Sequence, residues 1–270
     1  MVLRIYSLLF FCIVWLSSCT QPSSPDTYVP VTDTLTYVLG DTPVMVTLRT
    51  YNSPSPLFLV HLHDNENTAE QSAITVLEQY GGQLLSIENN KQRTIRFRLH
   101  NQYYTFDPNR IFSDIGIAAT LKQLSQQSAA ALKEIRGFAQ FILSHIPDSA
   151  IVVAVHNNTD ERFSVLSYKE APLKNETAAI NINADHDLDD FILTTDSAVY
   201  NLYQNENMNA VLQKDTMLDD DGSLSIFFGK RRRSYINVET EHGHGLQQIA
   251  LLEKLFHFTG LEKKKFTETQ

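Results

Sequence analysis

The sequence predicts an α/β fold: a single domain with a mixed, largely parallel central sheet flanked by helices. Residues 57–62 and 150–155 are short, wholly apolar runs, as expected for strands that are covered on both faces. Segments with helical character, residues 68–80 and 246–258, occur among the strand-like runs. No second Pro-, Ser- or Gly-rich linker interrupts the roughly 235 residues that follow residue 33, and this length suits one domain.

Residues 1–18 are predicted to be a lipoprotein signal peptide. Their apolar run, residues 5–16, is too short to span a bilayer as a mature helix. The LSSC sequence at its end resembles a bacterial lipobox, in which the peptide is removed before Cys19 and the thiol is acylated. The alternatives are an ordinary secretory signal and an uncleaved anchor. Cys12, the only other cysteine, lies inside the apolar run, so the mature chain has no second thiol for a disulfide, which favours the lipoprotein.

The remaining boundaries follow from composition. Residues 19–33 are expected to be the lipidated cysteine and a flexible tether, because they are rich in Pro, Ser and Thr. The domain is expected at residues 34–262, followed by a charged tail at residues 263–270. The formal net charge of -9 argues against nucleic acid and against a second, electrostatic hold on anionic lipid. We therefore expect a bacterial cell-envelope protein, lipid-anchored to a membrane on its periplasmic or surface side.

The elements of the domain are predicted in order. Strands are predicted at residues 34–39, 44–51, 57–63, 84–88, 94–99, 150–155, 224–228 and 235–239. The first two form a hairpin through Gly40-Asp41, and a glycine pair ends the helix that begins at residue 68. One long helix is predicted over residues 117–146. Residues 163–217 are mixed and polar, so we expect loops and short elements there.

Three of the predicted strands end on residues that can bind a metal or carry a proton. His63 and Glu66 follow one apolar strand, His156 follows another, and Glu239 ends the last. Because the carboxyl ends of parallel strands meet at one edge of a sheet, these side chains are expected to lie together. A His, Glu, His set is a standard ligand set for catalytic zinc, and a further carboxylate can serve as the base. In the alternative interpretation the histidines are ordinary polar residues at strand ends, and Glu66 is a helix N-terminal charge.

Four motifs, in the same order, resemble those of the zinc carboxypeptidase superfamily, and within it the succinylglutamate desuccinylase/aspartoacylase branch. HDNE at residue 63 resembles HGNE, DPNRIF at residue 107 resembles DLNRxF, HNNT at residue 156 resembles HNTT, and NVE at residue 237 resembles the strand with the catalytic glutamate. The resemblance implies that His63, Glu66 and His156 bind Zn²⁺, that Asn109 and Arg110 hold a substrate carboxylate, and that Glu239 is the general base/acid.

The resemblance also implies an arginine, shortly before the Asn-Arg pair, that polarises the scissile carbonyl. Arg96 and Arg98 are the candidates, and Arg98 is taken as a substrate-binding residue. The basic residues 230–233 either bind a second acidic group or form a solvated hairpin face, and the second interpretation is preferred.

The sequence departs from the family pattern at three places. Asp64 stands between the ligands where the family has glycine, and Pro108 precedes Asn109. Glu241 competes with Glu239 for the role of base, because both point to the same face if the strand continues. His242 and His244 are also able to ligate a metal in principle, but a loop position is preferred.

These observations predict a zinc-dependent hydrolase that cleaves an amide bond next to a free carboxylate. The substrate is expected to be an N-acyl amino acid or a peptide, such as a cell-wall fragment. The alternative is a non-catalytic, lipid-anchored binding protein that keeps the fold, and a third possibility is a structural envelope partner. A base beside the ligands favours the enzyme, because a protein that only binds has no need of it.

Overall fold

The structure is a computed structural model that describes residues 27–159, 163–215 and 218–263. The predicted signal peptide, Cys19 with about half of the tether, and nearly all of the predicted tail lie outside these ranges. In the described part of the chain, no helix is both long and apolar enough to cross a membrane.

Eleven strands are found in the described residues. They are β1 (Pro30–Leu39), β2 (Thr42–Tyr51), β3 (Leu57–His61), β4 (Gly82–Glu88), β5 (Ile95–Leu99), β6 (Gln102–Phe106), β7 (Ile151–Asn158), β8 (Thr177–Asn181), β9 (Phe191–Thr194), β10 (Ala210–Gln213) and β11 (Tyr235–Glu241). Nine of them form the main sheet in the order β1-β2-β4-β3-β7-β11-β9-β10-β8, and β5 and β6 form a separate hairpin.

The centre of the main sheet is parallel. Strands β4, β3, β7 and β11 all run in the same direction, whereas antiparallel pairs adjoin them on both sides. This confirms the predicted mixed, largely parallel sheet. Its functional consequence is that the carboxyl ends of the four central strands lie along one edge, where α/β proteins commonly bind ligands.

Helices cover both faces of the sheet. They are α1 (Asn67–Tyr80), α2 (Asp114–Leu124), α3 (Ala129–Ser144), α4 (Leu173–Glu176), α5 (Ser197–Asn205), α6 (Leu224–Gly229) and α7 (Gly245–Phe258). Strand β3 is buried along its whole length: Phe58 joins the core that contains Phe138 of α3, and Leu59 joins the opposite core with Leu77 of α1 and Leu252 of α7. The continuous hydrophobicity of this strand therefore follows from two covered faces.

Two predicted elements are wrong in kind or extent. Residues 224–228 form helix α6 and not a strand, and Ser223 caps it by accepting a hydrogen bond from Ile226 N–H at 3.4 Å. A short apolar run does not distinguish the two structures by its period. The single helix predicted at residues 117–146 is two helices, because Ser128 begins α3 as its N-cap, with its hydroxyl 3.0 Å from Ala131 N.

Strand β1 starts inside the predicted tether. It pairs with β2 over its full length, from Pro30↔Tyr51 to Leu39↔Thr42, so the folded domain begins earlier than residue 34. The polar segment at residues 163–217 also contributes more than loops, because β8, β9 and β10 extend the sheet beyond β11.

Candidate active site

Two histidines and a glutamate meet at the carboxyl edge of the parallel strands. His63 lies just after β3, His156 is in β7, and Glu66 directly precedes α1. The Glu66 oxygens lie 3.0 Å from His63 Nδ1 and 2.8 Å from His156 Nδ1, and the two Nδ1 atoms are 3.2 Å apart. Within the described ranges, this is the only group of metal-capable residues in which every member is buried.

The three donors fit a tetrahedral metal ion. Bonds of about 2.0–2.1 Å at the tetrahedral angle place neighbouring donor atoms about 3.4 Å apart. The three separations found here, 3.2, 3.0 and 2.8 Å, are somewhat shorter than that value. His63 Nε2 lies 2.7 Å from Asp107 Oδ1, so this carboxylate holds a proton on Nε2 and leaves Nδ1 as the ligating atom. A carboxylate behind a ligating imidazole is the usual means of orienting such a ligand.

His63 and Glu66 each shift the pKa of the other. Burial acts to lower the pKa of His63, but the Glu66 charge and the hydrogen bond to Asp107 outweigh it and raise that pKa to about 9. Burial acts to raise the pKa of Glu66, and the charges of His63 and His156 instead hold it well below its usual range. Glu66 is therefore a buried, ionised carboxylate between two imidazoles, an environment in which a metal cation can replace the bound proton.

Glu239 lies beside this group because β11 pairs in parallel with β7. The register places Glu239 opposite His156, one strand spacing or about 4.8 Å away. Its side chain is 8% exposed, and it accepts a hydrogen bond from Asn237 Nδ2 at 3.0 Å. Burial raises the pKa of Glu239 above its usual value, although the charge of His156 opposes the rise. A raised pKa suits a carboxylate that accepts and returns a proton near neutral pH.

The other candidate groups on and after β11 are placed differently. Glu241 does not line the cavity beside Glu239, and its carboxylate lies 3.6 Å from His244 Nε2. His244 also binds Asp190, with 3.0 Å between Nδ1 and Oδ2. His242 does reach the cavity. Glu239 is thus the glutamate of this strand that faces the metal-capable group.

The DPNR sequence forms a turn at the cavity wall. Asp107 precedes a 3-10 turn, Pro108–Arg110, and its Oδ1 accepts a hydrogen bond from Asn109 N–H at 2.8 Å. Proline suits the first position of such a turn because no donor is needed there, so this departure from the family pattern is accommodated. Arg110 Nη1 lies 3.6 Å from Asp221 Oδ2, and 41% of the Arg110 side chain is exposed. Asn109 and Arg110 both line the cavity.

The position predicted for the carbonyl-polarising arginine is wrong. Arg98 Nε binds Asp41 Oδ2 at 3.1 Å, and Arg96 covers the ring of Tyr103 at 4.1 Å. The alternation of β5 turns both arginines to its exposed face, away from the cavity.

Among Arg93, Arg96 and Arg98, only Arg93 lines the cavity. It lies between β4 and β5. Its Nη1 lies 2.5 Å from Glu66 Oε1, and its Nε lies 3.6 Å from Asp107 Oδ2. The basic residues 230–233 are outside the cavity, and among them Lys230 binds Asp220 at 2.8 Å.

One cavity of about 690 Å³ contains the three metal-capable residues together with Glu239, Arg93, Asn109 and Arg110. Part of its wall comes from residues that the sequence did not single out. Tyr168 lies on this wall, where burial and then the Glu239 charge raise its pKa well above the usual value, so that the phenol keeps its proton. Glu176 also lines it, and burial, followed by the charges of Asp221 and Asp219, raises the pKa of Glu176 to about 7.

No protein-family model matches the sequence, and no curated protein matches it. The fold is similar to an aspartoacylase family protein from Mesorhizobium loti, with a TM-score of 0.48 and 12% identity over 89% of this chain and 70% of that chain. The solved structures that are similar to this chain are aspartoacylase-family and metallopeptidase-like proteins.

Two further neighbours show the range of these similarities. A succinylglutamate desuccinylase/aspartoacylase from Rhodobacter sphaeroides has a TM-score of 0.42 and 13% identity, over 93% of this chain and 71% of that one. A candidate metallopeptidase from Shewanella denitrificans has a TM-score of 0.40 and 12% identity, over 84% of each chain. Similarity at this level carries no argument about function, so the chemistry rests on the residues of this chain.

Proposed function

We propose that this protein is a zinc-dependent hydrolase that cleaves an amide bond next to a free carboxylate. The observation that carries the proposal is the placement of Glu239 beside the buried His63, Glu66 and His156, in a cavity that also contains Arg110. Zinc is the preferred metal because two imidazoles and one carboxylate are one of its catalytic ligand sets. The substrate is an N-acyl amino acid or a peptide, cell-wall fragments included.

The cellular setting is part of the same proposal. The LSSC sequence that ends in Cys19 supports a lipid anchor, and the anchor supports a location at the bacterial envelope. The net charge of -9 supports a small-molecule or peptide substrate over nucleic acid.

Asn109 and Arg110 position the substrate by binding its carboxylate. A guanidinium binds a carboxylate through two parallel hydrogen bonds and keeps its charge at any working pH, while the neighbouring amide adds a directional donor. Arg93 is placed to donate to the carbonyl oxygen as negative charge develops on it. These contacts orient the amide carbonyl toward the metal ligands.

The proton path runs through Glu239. A zinc ion held by His63, Glu66 and His156 would supply Lewis acidity and activate the attacking water. As the water oxygen bonds to the carbonyl carbon, the Glu239 carboxylate accepts one water proton. Glu239 then donates this proton to the amide nitrogen as the C–N bond breaks, which leaves a carboxylic acid and an amine.

Metal content is the first test. The protein that starts after Cys19 is analysed for zinc beside the variants His63→Ala and His156→Ala, with His145→Ala, directly after α3, as the matched control. We expect about one zinc per chain in the parent and in the control, and loss of zinc in both ligand variants. A folded, zinc-supplemented parent that holds no metal would contradict the proposal.

Turnover is the second test. The zinc-loaded parent is assayed with acylated amino acids that carry free carboxylates and with cell-wall stem peptides, and the released amine is measured. Hydrolysis that is lost in His63→Ala and kept in His145→Ala supports the enzyme. Tight binding of these compounds without release of amine supports a binding protein instead.

A further inference from the structure

Asp64, which follows His63 in the HDNE motif, directs its carboxylate to a neighbouring turn and not to the metal-capable group. Asp64 is 2% exposed, and its carboxylate accepts three hydrogen bonds from the turn that follows β4. The donors are Asn89 N–H at 2.5 Å, Lys91 N–H at 2.8 Å and Lys91 Nζ at 2.9 Å. Through these hydrogen bonds, Asp64 connects the turn that begins at Asn89 to the segment that contains His63 and Glu66.

The backbone of this turn is in an unfavourable conformation at two residues. Asn90 and Lys91 have φ values of 52° and 56°, in the left-handed region that residues other than glycine seldom adopt. Asn89 closes the turn with side-chain hydrogen bonds to Gln92 O at 3.1 Å and Thr94 O at 2.9 Å. Such a backbone persists where surrounding contacts fix it, and the Asp64 carboxylate supplies those contacts from outside the turn.

Arg93 lies at the end of this turn, with its guanidinium at the candidate active site. About half of its side chain is exposed, so local packing alone does not hold it. Its contacts to Glu66 and Asp107 require the turn to approach the ends of β3 and β6. A shift of the turn by an ångström would move the guanidinium away from the reacting carbonyl.

We propose that Asp64 is a positioning residue that sets Arg93 at the active site by fixing the turn of residues 89–94. The proposal rests on the proposed function, in which Arg93 donates to the substrate carbonyl. Lys91 neutralises the Asp64 charge, so the carboxylate acts on the turn and not on the metal. An Asp64 that served only general stability would affect the protein to the same extent with or without Arg93.

A double-mutant cycle separates these roles. The kcat and KM of zinc-loaded parent, Asp64→Asn, Arg93→Ala and the double variant are measured with a substrate that the parent hydrolyses. We expect Asp64→Asn to lower kcat about 10- to 100-fold with little change in KM, and to have no further effect in the Arg93→Ala background. An equal loss of kcat in both backgrounds would overturn the proposal. Asp41→Asn, which removes the exposed partner of Arg98, is the matched control and keeps the parent kcat.

A spectroscopic test does not depend on turnover. The Nε–H resonance of Arg93 and the exchange of the Asn89 and Lys91 amide protons are followed by NMR in the zinc-loaded protein. We expect Asp64→Asn to average the Arg93 signal and to speed exchange of both amides at least tenfold. An unchanged signal with unchanged protection would overturn the proposal, even if the parent hydrolyses amides.

A second variant covers the case in which Asp64→Asn does not fold. Asn89→Ala removes the bonds that close the turn and leaves Asp64 untouched, so it is expected to reproduce the loss of the Arg93 signal. A parent without hydrolase activity would contradict the proposed function, and the NMR result would still decide whether Asp64 fixes Arg93.

Discussion

The two walls of the cavity are built in different ways. One wall consists of strand ends: His156 and Glu239 are 3% and 8% exposed and sit opposite each other in a parallel ladder. The other consists of turns and short elements, where the side chains of Arg110 and Asp221 are 41% and 45% exposed. Strand hydrogen bonds fix the positions of the first set, whereas the second set is carried by backbone that tolerates sequence change.

This contrast assigns different tasks to the walls. Residues that must hold a metal and move a proton need positions fixed to within about half an ångström, which rigid elements provide. Residues that recognise the rest of the substrate can vary from one protein to another on the same scaffold. Changes in the strand wall are therefore expected to act on kcat and on the metal, and changes at Arg110 in the loop wall on KM.

The largest effect is expected from Glu239→Gln. The amide cannot accept the water proton, so kcat should fall about 10²- to 10⁴-fold while zinc content and KM stay near those of the parent. Glu241→Gln is the matched control, because it changes the same residue type on the same strand outside the cavity. Steady-state kinetics on both variants measure the two kcat values. A larger loss of kcat in Glu241→Gln than in Glu239→Gln would mean that Glu241 is the base.

Arg110→Ala tests the loop wall. Loss of a charge-assisted pair of hydrogen bonds to a carboxylate should raise KM about 10- to 100-fold and change kcat only a few-fold. Arg98→Ala, on the exposed face of β5, serves as the control and should leave both parameters unchanged. If kcat falls and KM does not rise, the division of tasks between the two walls is wrong.

Asp107→Asn is expected to weaken metal binding without removing a ligand. The Asp107 carboxylate holds the Nε2 proton of His63, and loss of such a partner typically costs about 10- to 100-fold in metal affinity. Competition with a chelator measures the change, and Asp114→Asn, an exposed carboxylate paired with Arg136, is the control. Equal zinc affinity in the Asp107 variant and the parent would show that this carboxylate does not tune the site.

The sequence predicts the strand wall better than the loop wall, for a physical reason. Strands β3 and β7 are buried on both faces over most of their length, so each appears as an apolar run, and parallel pairing of β3, β7 and β11 brings the residues at their ends to one edge. The residue types there, His63, Glu66, His156 and Glu239, were therefore predictable as one group.

The misplaced arginine shows what sequence patterns lack. Arg98 and Arg93 lie close together in the chain, but the alternation of β5 turns Arg98 outward and the turn before it brings Arg93 to the cavity. The signal for Arg93 was topological: β4 is parallel to β3, so the residues after β4 reach the edge where His63 lies. Glu176 and Tyr168 belong to no sequence motif. They line the cavity because of the way the polar segment, residues 163–217, folds against the sheet edge, and the sequence pattern does not reveal this.

The smallest expected effect concerns stability on the loop wall. The pKa of Glu176 is raised to about 7 by burial and by Asp221 and Asp219, so the folded state holds a proton that the unfolded chain releases near pH 4.5. The protonated Glu176 therefore stabilises the folded state. Its contribution to the free energy of unfolding is full below pH 4.5 and is lost as the pH rises through 7. Glu176→Gln should thus increase the free energy of unfolding at pH 8, and with it Tm, by about 1 kcal/mol or less, because solvent screens a partly exposed group. At pH 4.5 the variant and the parent should unfold at nearly the same temperature, and Glu170→Gln, on the neighbouring exposed segment, should show no such pH-dependent difference. A variant that loses stability at pH 8 would mean that Glu176 is ionised and paired in the folded protein, and that the loop wall is as firmly fixed as the strand wall.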